Sequence, residues 1–272
     1  MTTLLIDGDM LAYRNAAALE QGTVIDWGDN VVSDIDNSAY GFARMDKFIK
    51  SLEVKFDAAT TVVCLSVTRE QQFRRALLPA YKADRKDKHE PRHLLRFAKY
   101  LLDKYEAVQC PGLEADDVMG IWQTGSVPGH TIIVTIDKDL NQIPGLHYNP
   151  HIKTGKPKVI DITQQEADLN FFKQTLTGDV IDGYKGCRGI GPAKAAKLLA
   201  GKKCTADMWK SVVEMFIKQG MTEEDARVNA RCARILRCGE WNVDKGVKLW
   251  DSEMWLATAP DQPNYIPQSS TT

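Results

Sequence analysis

The sequence has no run of apolar residues long enough for a transmembrane helix. Its first residues lack the basic region and apolar stretch of a signal peptide and run directly into Leu4-Leu5-Ile6-Asp7. Both absences make a soluble, cytoplasmic protein the expectation. Cysteine is scarce, with six residues and no Cys-x-x-Cys pair. That argues against a zinc site and leaves reduced thiols as the simplest state. Net charge is nearly absent too, at −1 from 35 Lys+Arg against 36 Asp+Glu. Such a balance announces no affinity for nucleic acid. There is no internal repeat. At 272 residues and 43% hydrophobic, the chain can build one large domain or two modest ones.

What the sequence does have is segregation of charge. Glu114, Asp116 and Asp117 crowd into Gly112-Leu113-Glu114-Ala115-Asp116-Asp117. Acids are favoured in the first turn of a helix, and the apolar Val118, Met119, Ile121 and Trp122 that follow fit a helix start. A second cluster points further. Residues 131–136 form a β-branched run that reads as a strand buried on both faces, with Asp137 and Asp139 just past its end. Leu4-Leu5-Ile6 runs into Asp7 in the same way. In open parallel sheets, ligands bind outside the carboxyl ends of the strands. Carboxylates gathered there predict a metal site, and all-oxygen ligands suit hard cations such as Mg²⁺ or Mn²⁺.

Strands are expected over 1–6, 61–65 and 131–136, with helical spacing over 39–56 and an amphipathic helix carrying Leu94, Leu95, Ala98, Leu101 and Leu102. Residues 26–36 read as a loop or hairpin. The alternation predicts an α/β domain with a mainly parallel central sheet and flanking helices. Between Arg69 and Lys104 the chain turns basic, with Arg74, Arg75, Lys82, Arg85 and Lys86 among the bases and Tyr81 interleaved. A solvated charged face is the plain reading; a basic stretch with an aromatic also suits a phosphate backbone and a stacked base.

A polar stretch over 147–158 sets the expected division. Residues 1–160 form the α/β domain, 161–256 a helical domain, and 257–272 a proline-containing mobile tail. In the helical part, a helix over 166–177 ends at Gly178, followed by Asp179 and Asp182. Gly189-Ile190-Gly191-Pro192 then leads into a helix over 193–200. No carboxylate occurs between Asp182 and Asp207, whereas Lys185, Arg188, Lys194 and Lys197 do. A glycine turn feeding a basic helix start offers free N–H groups to a phosphate; a tight connection with exposed lysines is the alternative. Helices over 208–217 and 222–236 follow, with Thr222 and Asp225 as an amino-terminal cap.

In these ordered motifs the chain resembles the 5′-nuclease superfamily of phage 5′→3′ exonucleases, flap endonucleases and the 5′-nuclease domains of bacterial DNA polymerases, and most resembles the exonucleases of short-tailed, T7-like phages. The motifs are Leu5-Ile6-Asp7-Gly8, Tyr81-Lys82-Ala83-Asp84-Arg85, Glu114-Ala115-Asp116-Asp117, Asp137-Lys138-Asp139, Gly178-Asp179-Val180-Ile181-Asp182 and Gly189-Ile190-Gly191-Pro192-Ala193-Lys194. The resemblance implies a PIN/resolvase-like α/β fold with a helix–three-turn–helix region. It implies two Mg²⁺ ions, replaceable by Mn²⁺, with Asp7, Glu114, Asp116 and Asp117 on one side and Asp137, Asp139, Asp179 and Asp182 on the other. Lys82 and Arg85 would stabilise the phosphate, and Tyr81 would stack on the terminal base. Arg74, Lys86, Gly189, Gly191, Lys194 and Lys197 would contact DNA, and the glycine turn near Gly189 could hold K⁺. The implied activity is 5′→3′ hydrolysis of duplex DNA and RNA–DNA hybrids, leaving 5′-phosphates, by a monomer working beside phage replication proteins in the host cytoplasm. One departure stands out: Val67 occupies the place where the family carries an aspartate, before Phe73-Arg74. A flap endonuclease is an alternative, and Val67 makes a catalytically silent DNA-binding module another.

Overall fold

The computed structural model describes residues 1–20, 24–26, 32–34, 38–84, 89–152 and 155–253. β1 (Thr2–Asp7) is the centre of a six-stranded sheet; its Leu4, Leu5 and Ile6 are fully buried. α1 (Gly8–Glu20) follows without a linker. It can do so because Gly8 lies against the next strand in space, where a Cβ would come within 2.8 Å of the Cys64 carbonyl oxygen. A short antiparallel hairpin, β2 (Val24–Asp26) and β3 (Val32–Asp34), precedes α2 (Ser38–Phe56), which buries Gly41, Met45, Ile49 and Leu52 at helical spacing.

β4 (Ala58–Cys64) pairs parallel to β1. A short α3 (Phe73–Leu77) and α4 (Leu94–Lys104) lead to β5 (Glu106–Val108). The apolar face of α4 differs from the sequence expectation. Phe97 and Leu101 point inward, while Leu95 is 78% exposed, because α1 and α2 meet the helix on the Phe97 side. α5 (Ala115–Gly125) then returns the chain to β6 (Thr131–Val134) on the other flank of β1, followed by β7 (Gly145–Tyr148) and β8 (Val159–Ile162). The strand order is β5-β4-β1-β6-β7-β8, all parallel except the β7–β8 pair. The order reverses at β1, so a crevice opens beyond the carboxyl ends of β1, β4 and β6.

The remaining helices are α6 (Gln164–Thr177), α7 (Pro192–Leu199), α8 (Thr205–Lys218) and α9 (Glu223–Ala233). Thr163/Glu166 and Thr222/Asp225 form reciprocal capping boxes. α9 stops before the expected Leu236: Arg234 is extended (ψ 117°), and the chain turns back beneath α5. There Ile235, Leu236 and Trp241 join Val118, Met119 and Ile133 in one apolar cluster. A separate cluster holds the helical part together around Phe171, Phe172, Trp209, Phe216 and Trp250. The expected boundary at 160 falls inside β8, and residues 235–241 complete the core of the α/β part. Residues 254–272, which include the expected tail, lie outside the described residues. Among the described residues no helix is long and apolar enough to cross a membrane.

Candidate active site

The crevice is a cavity of about 1220 Å³, lined from both parts of the chain by Asp7, Glu114, Asp116, Asp137, Asp139, Asp179 and Asp182. Hydrogen bonds, several between distant parts of the chain, place these acids. Asp7 accepts from the Met10 amide (2.9 Å) and the Thr135 hydroxyl (2.7 Å), and that hydroxyl accepts from the Asp137 amide (3.0 Å). One threonine thus ties the ends of β1 and β6 together. From α6, Gln174 Nε2 donates to Asp139 (2.7 Å) and to the Tyr184 hydroxyl (3.0 Å), joining the sheet to the turn that carries Asp179 and Asp182. Asp179 in turn accepts from the Ile181 amide at 2.7 Å.

The bases enter from α3 and the turn after it. Lys82 Nζ pairs closely with Glu114 and lies 3.7 Å from Asp182. Arg74 is a different matter from the DNA contact expected of it. Its side chain is 3% exposed, and its guanidinium grips Asp117 through two hydrogen bonds of 2.7 Å and Glu114 through one of 2.8 Å. It also donates to the carbonyls of Cys232 and Arg234. Asp117, expected as a metal ligand, is held by this same arginine. It is fully buried, and besides Arg74 it accepts the amides of Glu114 (3.2 Å) and Leu236 (3.1 Å). It is the third-residue partner in the capping box that Glu114 opens at the start of α5, and it anchors the returning chain, whereas Glu114 and Asp116 face the cavity. Tyr81, expected to stack on a base, lines the cavity but is 3% exposed and donates its hydroxyl to Glu114 at 2.9 Å.

Arg85 and Lys86 lie outside the described residues. Gly189, Gly191, Lys194 and Lys197 form an exposed surface away from the cavity lining. Gly189 has φ +72°, and its carbonyl accepts from Lys194 Nζ at 3.0 Å.

A family model, "5'-3' exonuclease, N-terminal resolvase-like domain", matches residues 2–170. The exonuclease of Escherichia phage T7 is 29% identical over 91% of this chain and 92% of its own length. The chain belongs to the 5′–3′ exonuclease family. The thermostable DNA polymerase I of Thermus caldophilus is 33% identical over 72% of this chain but only 23% of its own length. Among solved structures, T5 5′-exonuclease with zinc ions bound superposes with a TM-score of 0.64 at 16% identity, covering 86% of this chain and 89% of that one. T5 flap endonuclease in a pseudo-enzyme-product complex with DNA and metal ions superposes with a TM-score of 0.59 at 16% identity, covering 85% and 88%. Both show the shared fold.

Within this exonuclease the sequence reading passed over Asp9, which also lines the cavity and accepts the Ser66 amide at 3.2 Å. Val67 is the neighbouring wall residue, 8% exposed. A carboxylate therefore does reach the end of β4, but from the first turn of α1. The paired acids of Asp7-Gly8-Asp9 were the available signal. Gln174 had none, since a glutamine in mid-helix is ordinary.

Charge in the exonuclease cavity is poorly balanced. Burial, then the Asp9 charge, pushes Asp7 up to about 7. Burial and Asp137 push Asp139 up to about 6. Burial with Asp7 and Asp137 nearby holds Asp116 well above the usual carboxylate range. Glu114 goes the other way: burial raises it, but Lys82 and Arg74 outweigh burial and bring it down to about 2. Among the described residues no three acidic, histidine or cysteine side chains already enclose a point as a metal cluster. The donor chemistry nevertheless fits divalent cations: the ligands are all oxygens, and their mutual repulsion is what a cation relieves.

Proposed function

We propose that this chain is a metal-dependent 5′→3′ exonuclease that hydrolyses duplex DNA, and RNA paired to DNA, to products ending in 5′-phosphate. The observation that carries the reading is the meeting of carboxylates from both parts of the chain in one crevice at the strand ends, with the Lys82 ammonium paired to Glu114 and close to Asp182. Asp7, Asp9, Glu114 and Asp116 would hold one divalent cation, and Asp137, Asp139, Asp179 and Asp182 a second, Mg²⁺ being the natural candidate. Such ions supply a hydroxide nucleophile at neutral pH and offset charge on the scissile phosphate. Thr135 and Gln174 keep Asp7 and Asp139 oriented. Arg74 and Tyr81 orient Glu114 from behind. The Lys82 ammonium is the protein's own positive charge for the phosphate, held ready in a partly desolvated site. Lys194 and Lys197, on an exposed face, would hold the duplex backbone at a distance from the cut.

The test is a product ladder from a 5′-labelled blunt duplex and from a 5′-flap duplex, each with Mg²⁺ and with EDTA. Mononucleotide or short 5′-phosphorylated products from the blunt duplex, in Mg²⁺ alone, are expected. Cleavage in EDTA, or of the flap alone, would remove the metal-dependent exonuclease reading.

A further inference from the structure

Lys82 stands in an unusual backbone conformation. Its φ is +50°, a left-handed value that Asp57 alone shares among the described non-glycine residues. Such a conformation costs energy and persists only where its surroundings over-determine it. Those surroundings are the turn between Asp179 and Tyr184. These two residues exchange backbone hydrogen bonds of 2.8 and 3.1 Å, which close the turn into a small loop. The Lys82 amide donates to the Asp182 carbonyl at 2.8 Å. Gly183, at φ +84°, lies flat against the turn at Ala80–Lys82: a Cβ there would stand 2.2 Å from the Ala80 carbonyl oxygen and 3.5 Å from the Lys82 nitrogen. The rings of Tyr81 and Tyr184 stack at 6.3 Å on the buried side.

We infer that the Asp182–Gly183 turn is a positioning clasp for Lys82. Its main chain holds the lysine backbone left-handed, and that conformation aims the ammonium at Glu114 and at the Asp182 carboxylate. Gly183 is thus a positioning residue, required because only a bare backbone can approach Ala80 so closely. Asp182 serves twice, once through its carboxylate and once through its carbonyl. The inference rests on the catalytic role proposed for Lys82.

The experiment is a double-mutant cycle of Gly183→Ala and Lys82→Ala, read as single-turnover cleavage of a 5′-labelled duplex at saturating enzyme in Mg²⁺. Duplex affinity in EDTA and thermal unfolding are measured alongside. Gly220→Ala is the control, since Gly220 has φ +71° but open space around it. Gly183→Asn separates the contact from the backbone preference, because asparagine tolerates positive φ. Both Gly183 variants should slow cleavage by about 100-fold, the scale set by a misplaced catalytic group, with affinity changed less than threefold. Gly220→Ala should cleave normally. On the Lys82→Ala background, Gly183→Ala should add no further loss. The Lys82 amide should also exchange with solvent faster in both Gly183 variants. Multiplying losses, or normal cleavage by both Gly183 variants while Lys82→Ala is slow, would overturn the clasp alone. Normal cleavage by Lys82→Ala would overturn the lysine's catalytic role, and the clasp with it.

Discussion

Residues of one chemical type behave differently here because their surroundings differ. Asp116 and Asp117 are neighbours, yet Asp116 faces the cavity while Asp117 is sealed beneath Arg74. Asp116→Ala and Asp139→Ala should each reduce cleavage at least ~1000-fold while leaving duplex affinity in EDTA within a few-fold, as expected when a metal ligand contributes several kcal/mol to catalysis. Asp9→Ala should weaken Mg²⁺ affinity by about 10- to 100-fold, as read by calorimetry; unchanged affinity would exclude Asp9 from the ligand set. Asp7 also sets a pH dependence. Burial pushes its carboxyl up to about 7, so between the usual carboxylate range and that value the folded state holds a proton that the unfolded state has released. Stability from this group is therefore full below about pH 4 and is lost as pH rises through 7. In EDTA the melting temperature should fall between pH 5 and 7.5 and level off above that. Asp7→Asn should flatten that slope, and Mg²⁺ should restore more stability at pH 8 than at pH 6.5. A slope unchanged by Asp7→Asn would contradict the assignment.

At the scale of elements, two basic segments that look alike in sequence part company. The α3 base Arg74 is interior, and removing it strands a buried Asp117 and loosens the carbonyls of Cys232 and Arg234. Arg74→Ala should destabilise the protein by about 3–5 kcal/mol in denaturant titrations, the scale of a broken buried ion pair. It should leave the salt dependence of duplex binding unchanged, contrary to what a DNA contact would do. The α7 bases Lys194 and Lys197 are exposed, one helical turn apart. Replacing both by alanine should flatten the slope of log K against log salt by up to about 2. Cleavage at saturating DNA should change little. Sequence alone could not separate these cases, because an arginine two residues into a short helix carries no mark of being buried.

For the whole molecule, residues far beyond position 160 pack into the core of the α/β part. Ile235, Leu236 and Trp241 fill the cluster beneath α5, and Arg237 pairs with Asp168 at 2.9 Å. A fragment of residues 1–160 should therefore lack a cooperative thermal transition, whereas residues 1–253 should unfold in one step by circular dichroism. Independent, cooperative folding of the fragment would show that the returning segment is dispensable. Local pattern was enough to mark β1, β4, β6, α2, α6, α7 and the glycine-capped ends, because apolar periodicity, capping pairs and Pro-Gly punctuation act over a few residues. The strand ends bearing Asp7, Asp137 and Asp139 followed from the same local signals, and with them the cavity's acids. Tertiary structure alone decided the rest. β5, β7 and β8 are strands because neighbours supply their partners. Arg74, Tyr81 and Asp117 are buried, each hydrogen-bonded to Glu114. Lys82 took a left-handed conformation that its own sequence disfavours. In each case the deciding term is desolvation or hydrogen bonding to a residue distant in the chain, such as Asp182 for Lys82 or Cys232 for Arg74, which no local window contains.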